Sequence, residues 1–119
     1  MSDATNNTLQ AIHDLLVADV GALSEAYDTA NDSNLASAIS TEIGEITHRI
    51  NLLQRLIFVQ QSAKLDGMLP KIQTADAQVN VAIKTASKAA DVINGISTFL
   101  GYVDKAIDFA KALAPLAGL

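Results

Sequence analysis

Apolar positions recur along this 119-residue chain at spacings of three and four, which puts them on one face of an α-helix. Leu9, Ile12, Leu16, Val20, Leu23 and Tyr27 form the first ladder. It predicts a helix over residues 8–30, capped by Thr8 after a polar, frayed start at 1–8. Residues 28–34, DTANDSN, end it, because Asp, Asn, Ser and Thr side chains compete for backbone hydrogen bonds.

The second ladder is the most regular. Ala36, Ile39, Ile43, Ile46, Ile50, Leu53 and Ile57 step three and four alternately, an a/d seam of three heptads. Isoleucine at both a and d suits a multi-helix core, trimer or tetramer better than a two-stranded coil. Between residues 50 and 59 the apolar surface widens to take in Leu52, Leu56, Phe58 and Val59, as expected of a helix surrounded by neighbours. The predicted helix spans 34–66, about 48 Å at ~1.5 Å per residue. Gly67 is expected to end it in the left-handed conformation, with Pro70 opening the next helix. So short a connection makes the second and third helices antiparallel neighbours.

The third ladder, Ile72, Ala75, Val79, Ile83, Ala86, Ala90 and Ile93, predicts a helix over 70–94. Asn94-Gly95 is a helix-stop pair. Yet the ladder crosses it in phase, through Ile96, Leu100, Val103, Ile107, Ala110 and Ala114, a segment over 96–114. Two forms stay open. A continuous helix over 70–114, about 67 Å long, would overhang its partner beyond residue 101. Tyr102, Val103, Ile107, Phe109 and Leu113 would then need cover from a second subunit, another protein or a bilayer. A break near Gly95–Gly101 would instead make a fourth helix and fold these residues into the core. Ser97, Gly101, Asp104, Asp108 and Lys111 share one narrow polar stripe of this segment. Phe99, Leu100, Val103, Ile107, Phe109 and Leu113 lie off it and are the candidate interaction or membrane-binding residues.

The expected fold is therefore all-α: an antiparallel, coiled-coil-like bundle forming a single domain over 1–119. It has three long helices, the last kinked or broken to make a fourth. Composition agrees. Half the residues are hydrophobic, 4% are aromatic, and there are six glycines and two prolines. Such a profile favours helices and excludes disorder.

Charge is unevenly spread. Residues 1–48 carry eight acids, Asp3, Asp14, Asp19, Glu25, Asp28, Asp32, Glu42 and Glu45, and no Lys or Arg. From Arg49 onward eight bases face five acids, giving a net charge of −5 overall. Two arrangements fit: the halves pack together by charge, or the acidic part masks a weakly basic, amphipathic part. The base-free start excludes a Sec-type signal peptide, so the expected location is cytoplasmic, or outside the cell by a signal-less route. No apolar run reaches the ~18 residues of a transmembrane helix.

Candidate chemistry is thin. With no cysteine, disulfides, thiolate nucleophiles and Cys-based zinc sites are excluded. Glu42, Glu45 and His48 have a spacing used in di-iron bundles, but one motif is half of such a site, and the heptad puts His48 at an outward f position. These three are rejected as metal ligands. His13-Asp14 could orient an imidazole, but adjacent helical residues diverge by about 100° and are expected not to meet. Gly95-Ile96-Ser97-Thr98-Phe99 lacks the second glycine of a nucleophile elbow. Residues 28–39 fail as a calcium loop, with Ser33 at its glycine position and Ile39 at its glutamate position. The glycosylation triplets at Asn6 and Asn31 carry little weight without a signal peptide. The acidic balance and scarce aromatics argue against nucleic acid.

The chain also lacks the tryptophan turn and acid-terminated tyrosine signal of the WXG-type proteins. Its turn reads Asp66-Gly67, and Tyr102 is followed four residues on by Ala106. The function expected is non-enzymatic: assembly with a second copy or a protein partner, through the helix 2 isoleucine seam and the C-terminal helix. The alternative is a membrane-active, toxin-like protein whose C-terminal helix inserts into a bilayer, shielded until then by the acidic first helix. No cofactor, nucleic acid or small-molecule substrate is expected.

Overall fold

The ladders become four long helices and one short one in a computed structural model, which describes residues 6–85 and 88–113. They are α1 (Asn7–Thr29), α2 (Ser33–Leu56), α3 (Ala63–Asp66), α4 (Leu69–Thr85) and α5 (Ala89–Leu113). No strand occurs among the described residues. The molecule is an all-α bundle, a rod of 48 × 21 × 21 Å.

Each long helix touches two others. α1 packs on α2 and α4, and α5 packs on the same two. The order around the bundle is therefore α1, α2, α5, α4, with α2 diagonal to α4. α1–α2 and α4–α5 are antiparallel hairpins, whereas the α2–α5 and α1–α4 contacts run parallel. α2 and the helix that opens near Pro70, α4, run antiparallel as expected but are not neighbours, because residues 57–68 cross the base of the bundle diagonally.

That crossover replaces the last ten residues of the expected 34–66 helix. α2 stops at Leu56, and the cause lies far away in sequence. Asn6 is fully buried. Its backbone N–H donates to the Ile57 carbonyl at 2.6 Å, and its side-chain amide donates to the Val59 and Gln60 carbonyls at 3.1 and 3.2 Å. Donors from α1 thus take carbonyls that a continuing helix would use for itself. Val59 drops into the core while Phe58 stays exposed. Ser62 then caps α3 by accepting from the Leu65 N–H, and Gly67 ends it in right-handed geometry, with φ −68°, not the left-handed form expected.

Asn6 also caps α1, its Oδ1 accepting from the Leu9 N–H at 3.0 Å. Thr8, expected in that role, instead donates its hydroxyl to the Asp66 carboxylate at the mouth of the crossover. Residues 6–8 are thus tied down; the remainder of the segment expected to fray, 1–5, lies outside the described residues. Asp32 caps α2 through the Leu35 N–H.

α4 ends at Thr85 and α5 begins at Ala89, so the last two helices are separate elements and neither ends at Gly95–Gly101. Asn94, Gly95 and Gly101 all lie inside α5. The apparent phase continuity across Asn94-Gly95 came from pairing the wrong residues. α5 buries Val92, Ile96, Phe99, Val103 and Ala106, while Ile93 is exposed, so the buried face does reset after Ile83. Ala86 and Ala114, placed in the expected ladder, lie outside the described residues.

Gly95 permits the α4–α5 hairpin to close. A Cβ at this position would stand 2.3 Å from the Ala82 Cβ, well inside the ~3.5–4.0 Å contact distance of carbon atoms.

Candidate functional site

The structure brings the apolar residues of the C-terminal segment together in the interior. Phe99, Leu100, Val103 and Ile107 are buried in the shared core, and Phe109 and Leu113 pack half-buried against it. This is the folded-back form, so the overhang never arises. The helix 2 seam also turns inward. Ile39, Ile46 and Leu53 are buried, whereas Ala36, Ile43, Ile50 and Ile57 are half-buried. In this fold neither surface expected to meet a partner is free. Phe109 is covered from outside by Lys64, whose ammonium stands 5.4 Å from the ring centroid, within the range of a cation–π contact.

The α2–α5 contact is fastened by Arg49. Its Nε and Nη2 donate to the two Asp104 oxygens at 2.7 and 2.9 Å, a two-point clamp, and Nη1 donates to Glu45. Asp104, expected on the solvated stripe, is half-buried because of it. The Asp104 carboxylate raises the pKa of the Arg49 guanidinium. Glu42, beside this cluster, is buried; desolvation first, then the Glu45 charge, raises its pKa, and Arg49 opposes the shift. Glu45 and His48 are exposed, so the three residues of the rejected metal motif do not converge. Among the described residues no group of three His, Asp or Glu is placed to hold a metal ion. Charge also fails as the principle joining the halves. Arg49–Asp104 is the only ion pair between helices among the described residues, and both partners come from the base-rich part.

His13 and Asp14 do meet, contrary to expectation. His13 Nδ1 stands 3.2 Å from Asp14 Oδ1, and the Gln10 amide donates to the same oxygen. These two bonds lower the Asp14 pKa. The expectation used the divergence of the Cβ directions alone. It neglected that an Asp side chain can lean back along the helix.

What remains outside is a neutral face. On α4, between Lys71 and Lys84, the only charged residue type is Asp76, and it is buried. On α5, between Asp91 and Asp104, there is none. These two stretches are twelve residues each, about 18 Å of helix, and they lie side by side. Ala75, Gln78 and Ala82 of α4 face Asn94, Gly95 and Thr98 of α5 across a shallow trough, which Thr74 and Tyr102 extend towards the crossover, where Lys71 lines its end. Val81, at 58% exposure, forms its rim. The trough is shallow because Gly95 and the alanines carry so little side chain. Sequence reasoning passed over this face because it looked for apolar ladders, whereas the signal is the absence of exposed charge from two twelve-residue stretches.

No known protein family, curated protein or solved structure matches the chain. No described helix is long and apolar enough to cross a membrane.

Proposed function

We propose that this is a non-enzymatic bundle protein that acts by association, and that its working surface is the neutral α4–α5 face. The observation that carries this reading is the uncharged part of the trough beside Gly95, with exposed Val81 on its rim. Interface cores are depleted of charged residues, and small side chains let a second helix come close. The occupant that fits is a second copy. Two molecules of net charge −5 repel over most of their surfaces. A self-complementary contact about a two-fold axis joins neutral face to neutral face.

Light scattering across a concentration series tests this. The wild-type protein is expected to dimerise, whereas Val81→Glu and Thr98→Glu stay monomeric with unchanged helical circular dichroism. Wild-type protein that remains monomeric at every concentration would sink the reading.

Membrane insertion of α5 is supported less well. It would draw Phe99, Leu100, Val103 and Ile107 out of the core. At ~1.5–3 kcal/mol for each large buried side chain, exposing these four to water on the way out of the core costs roughly 6–12 kcal/mol. Dye-loaded vesicles are expected to stay intact in its presence; leakage would restore the membrane reading.

A further inference from the structure

Two carboxyl groups meet inside the bundle. Asp19 of α1 is 1% exposed and Asp76 of α4 is 8% exposed. Asp76 lies within hydrogen-bonding reach of Asp19. Asp19 Oδ2 and Asp76 Oδ1 are both buried without a hydrogen-bond donor among the described residues. The second Asp76 oxygen is satisfied: Asn80 Nδ2 donates to it at 3.2 Å while also bonding the Asp76 carbonyl at 3.0 Å. Two ionised carboxylates cannot share such a place without a cation or a proton between them.

No cation among the described residues serves. None of the ion pairs among the described residues includes Asp19 or Asp76. On α4 itself Lys71 and Lys84 are exposed. On α1 the flanking charges, Asp14 and Glu25, are acids and exposed. On α2, Arg49 is held by Glu45 and Asp104, beside Glu42, and His48 and Arg55 are exposed. On α5, Asp91, Lys105, Asp108 and Lys111 are exposed. The one titratable group acting on Asp19 is Asp76.

We propose that Asp19 and Asp76 form a proton-binding site, a carboxylic acid–carboxylate pair that holds one proton at neutral pH and joins α1 to α4 through it. The proton sits on Asp19, whose Oδ2 then donates to Asp76 Oδ1. The other Asp76 oxygen accepts from Asn80. Both otherwise unpartnered oxygens are thereby used by one O–H···O bond. Desolvation first, and then the Asp76 hydrogen bond and charge, push the Asp19 pKa up from 3.8 to about 9. The folded state therefore binds more protons at this site than the unfolded chain between those values, so the site's contribution to stability is largest in acid and falls as pH rises towards 9. Acid tightens the α1–α4 contact and alkali loosens it. A release of α1 triggered by acid runs against this site.

The test is denaturant unfolding from pH 5 to pH 9 for the wild type and Asp19→Asn, whose amide can donate to Asp76 at every pH. One site of this kind raises the wild-type unfolding constant by up to about tenfold per pH unit. Asp19→Asn removes that part of the slope and unfolds with a constant at least about tenfold lower at pH 8. Parallel pH profiles for the two proteins would overturn the proposal. Carbon-13 NMR of the side-chain carboxyls gives a direct reading on the wild type even if the variant fails to fold. Asp19 is expected to titrate well above pH 6; titration of both groups below pH 5 would overturn the proposal. Stabilisation by calcium or magnesium, with a shift of both carboxyl signals at pH 7, would make the pair a cation site and also overturn it.

Discussion

Replacing Gly95 by alanine sets two well-understood effects against each other. In an unobstructed helix the change stabilises by about 1 kcal/mol, because alanine loses less backbone entropy than glycine. At Gly95 the new Cβ would stand 2.3 Å from the Ala82 Cβ. Restoring ordinary contact means parting α4 and α5 by more than about 1 Å, which costs ~1–3 kcal/mol in an overfilled interface. Sterics should cancel or exceed the gain, for a net loss of up to about 2 kcal/mol and a fall in Tm of up to roughly 10 °C. Gly101, on the same helix, is the control: nothing lies within 4 Å of its added Cβ, so Gly101→Ala should gain up to about 1 kcal/mol. Swapping the two residues, Ala82→Gly with Gly95→Ala, removes the collision and should return stability to within about 0.5 kcal/mol of wild type, far from additive. Urea unfolding followed by circular dichroism measures all four proteins. If Gly95→Ala stabilises as much as Gly101→Ala, the close approach of α4 and α5 is not there, and the account of the hairpin is wrong.

Two other substitutions probe the base and the core. Asn6→Ala removes a helix cap worth ~1 kcal/mol and leaves buried carbonyls of the crossover without donors, at ~1–3 kcal/mol. A loss of about 2–4 kcal/mol in urea unfolding is expected, whereas Asn6→Ser should recover only the cap; a loss below about 0.5 kcal/mol for the alanine variant would refute the assigned bonds. Phe99→Ala empties the largest fully buried position and should cost ~3–5 kcal/mol. An effect under about 1 kcal/mol in the same assay would mean that Phe99 is not core.

Sequence reading recovered what local periodicity controls and missed what distant partners control. The all-α class, the extent of α1 and the inward face of α2 at Ile39, Ile46 and Leu53 follow from spacing, and the turn within Asp28–Asn34 follows from its capping residues. The end of α2 does not. Nothing within residues 57–62 forces a break, since neither glycine nor proline occurs there. The break depends on Asn6 donors about fifty residues away. Gly95 misled because glycine stops helices when isolated but lets them approach when paired. The acid pair was legible in principle. Leu9, Ile12, Leu16, Asp19 and Leu23 step three and four without a fault, as do Ile72, Asp76, Val79 and Ile83. An acid in phase with a buried ladder signals a buried acid; choosing Val20 over Asp19 hid it. The neutral α4–α5 face was hidden for a related reason, because small polar residues leave no periodic trace.

The diagonal crossover has a consequence for how copies of this chain could become entangled. Each hairpin is a self-contained half, and the halves are linked by one strap at residues 57–68. Lifting that strap from Asn6 lets the second hairpin of one molecule settle on the first hairpin of another, reproducing every helix contact in an exchanged pair. Asn6 ties the strap to the start of α1, so an exchanged pair is the expected product of weakening it, and size-exclusion chromatography of Asn6→Ala would show it.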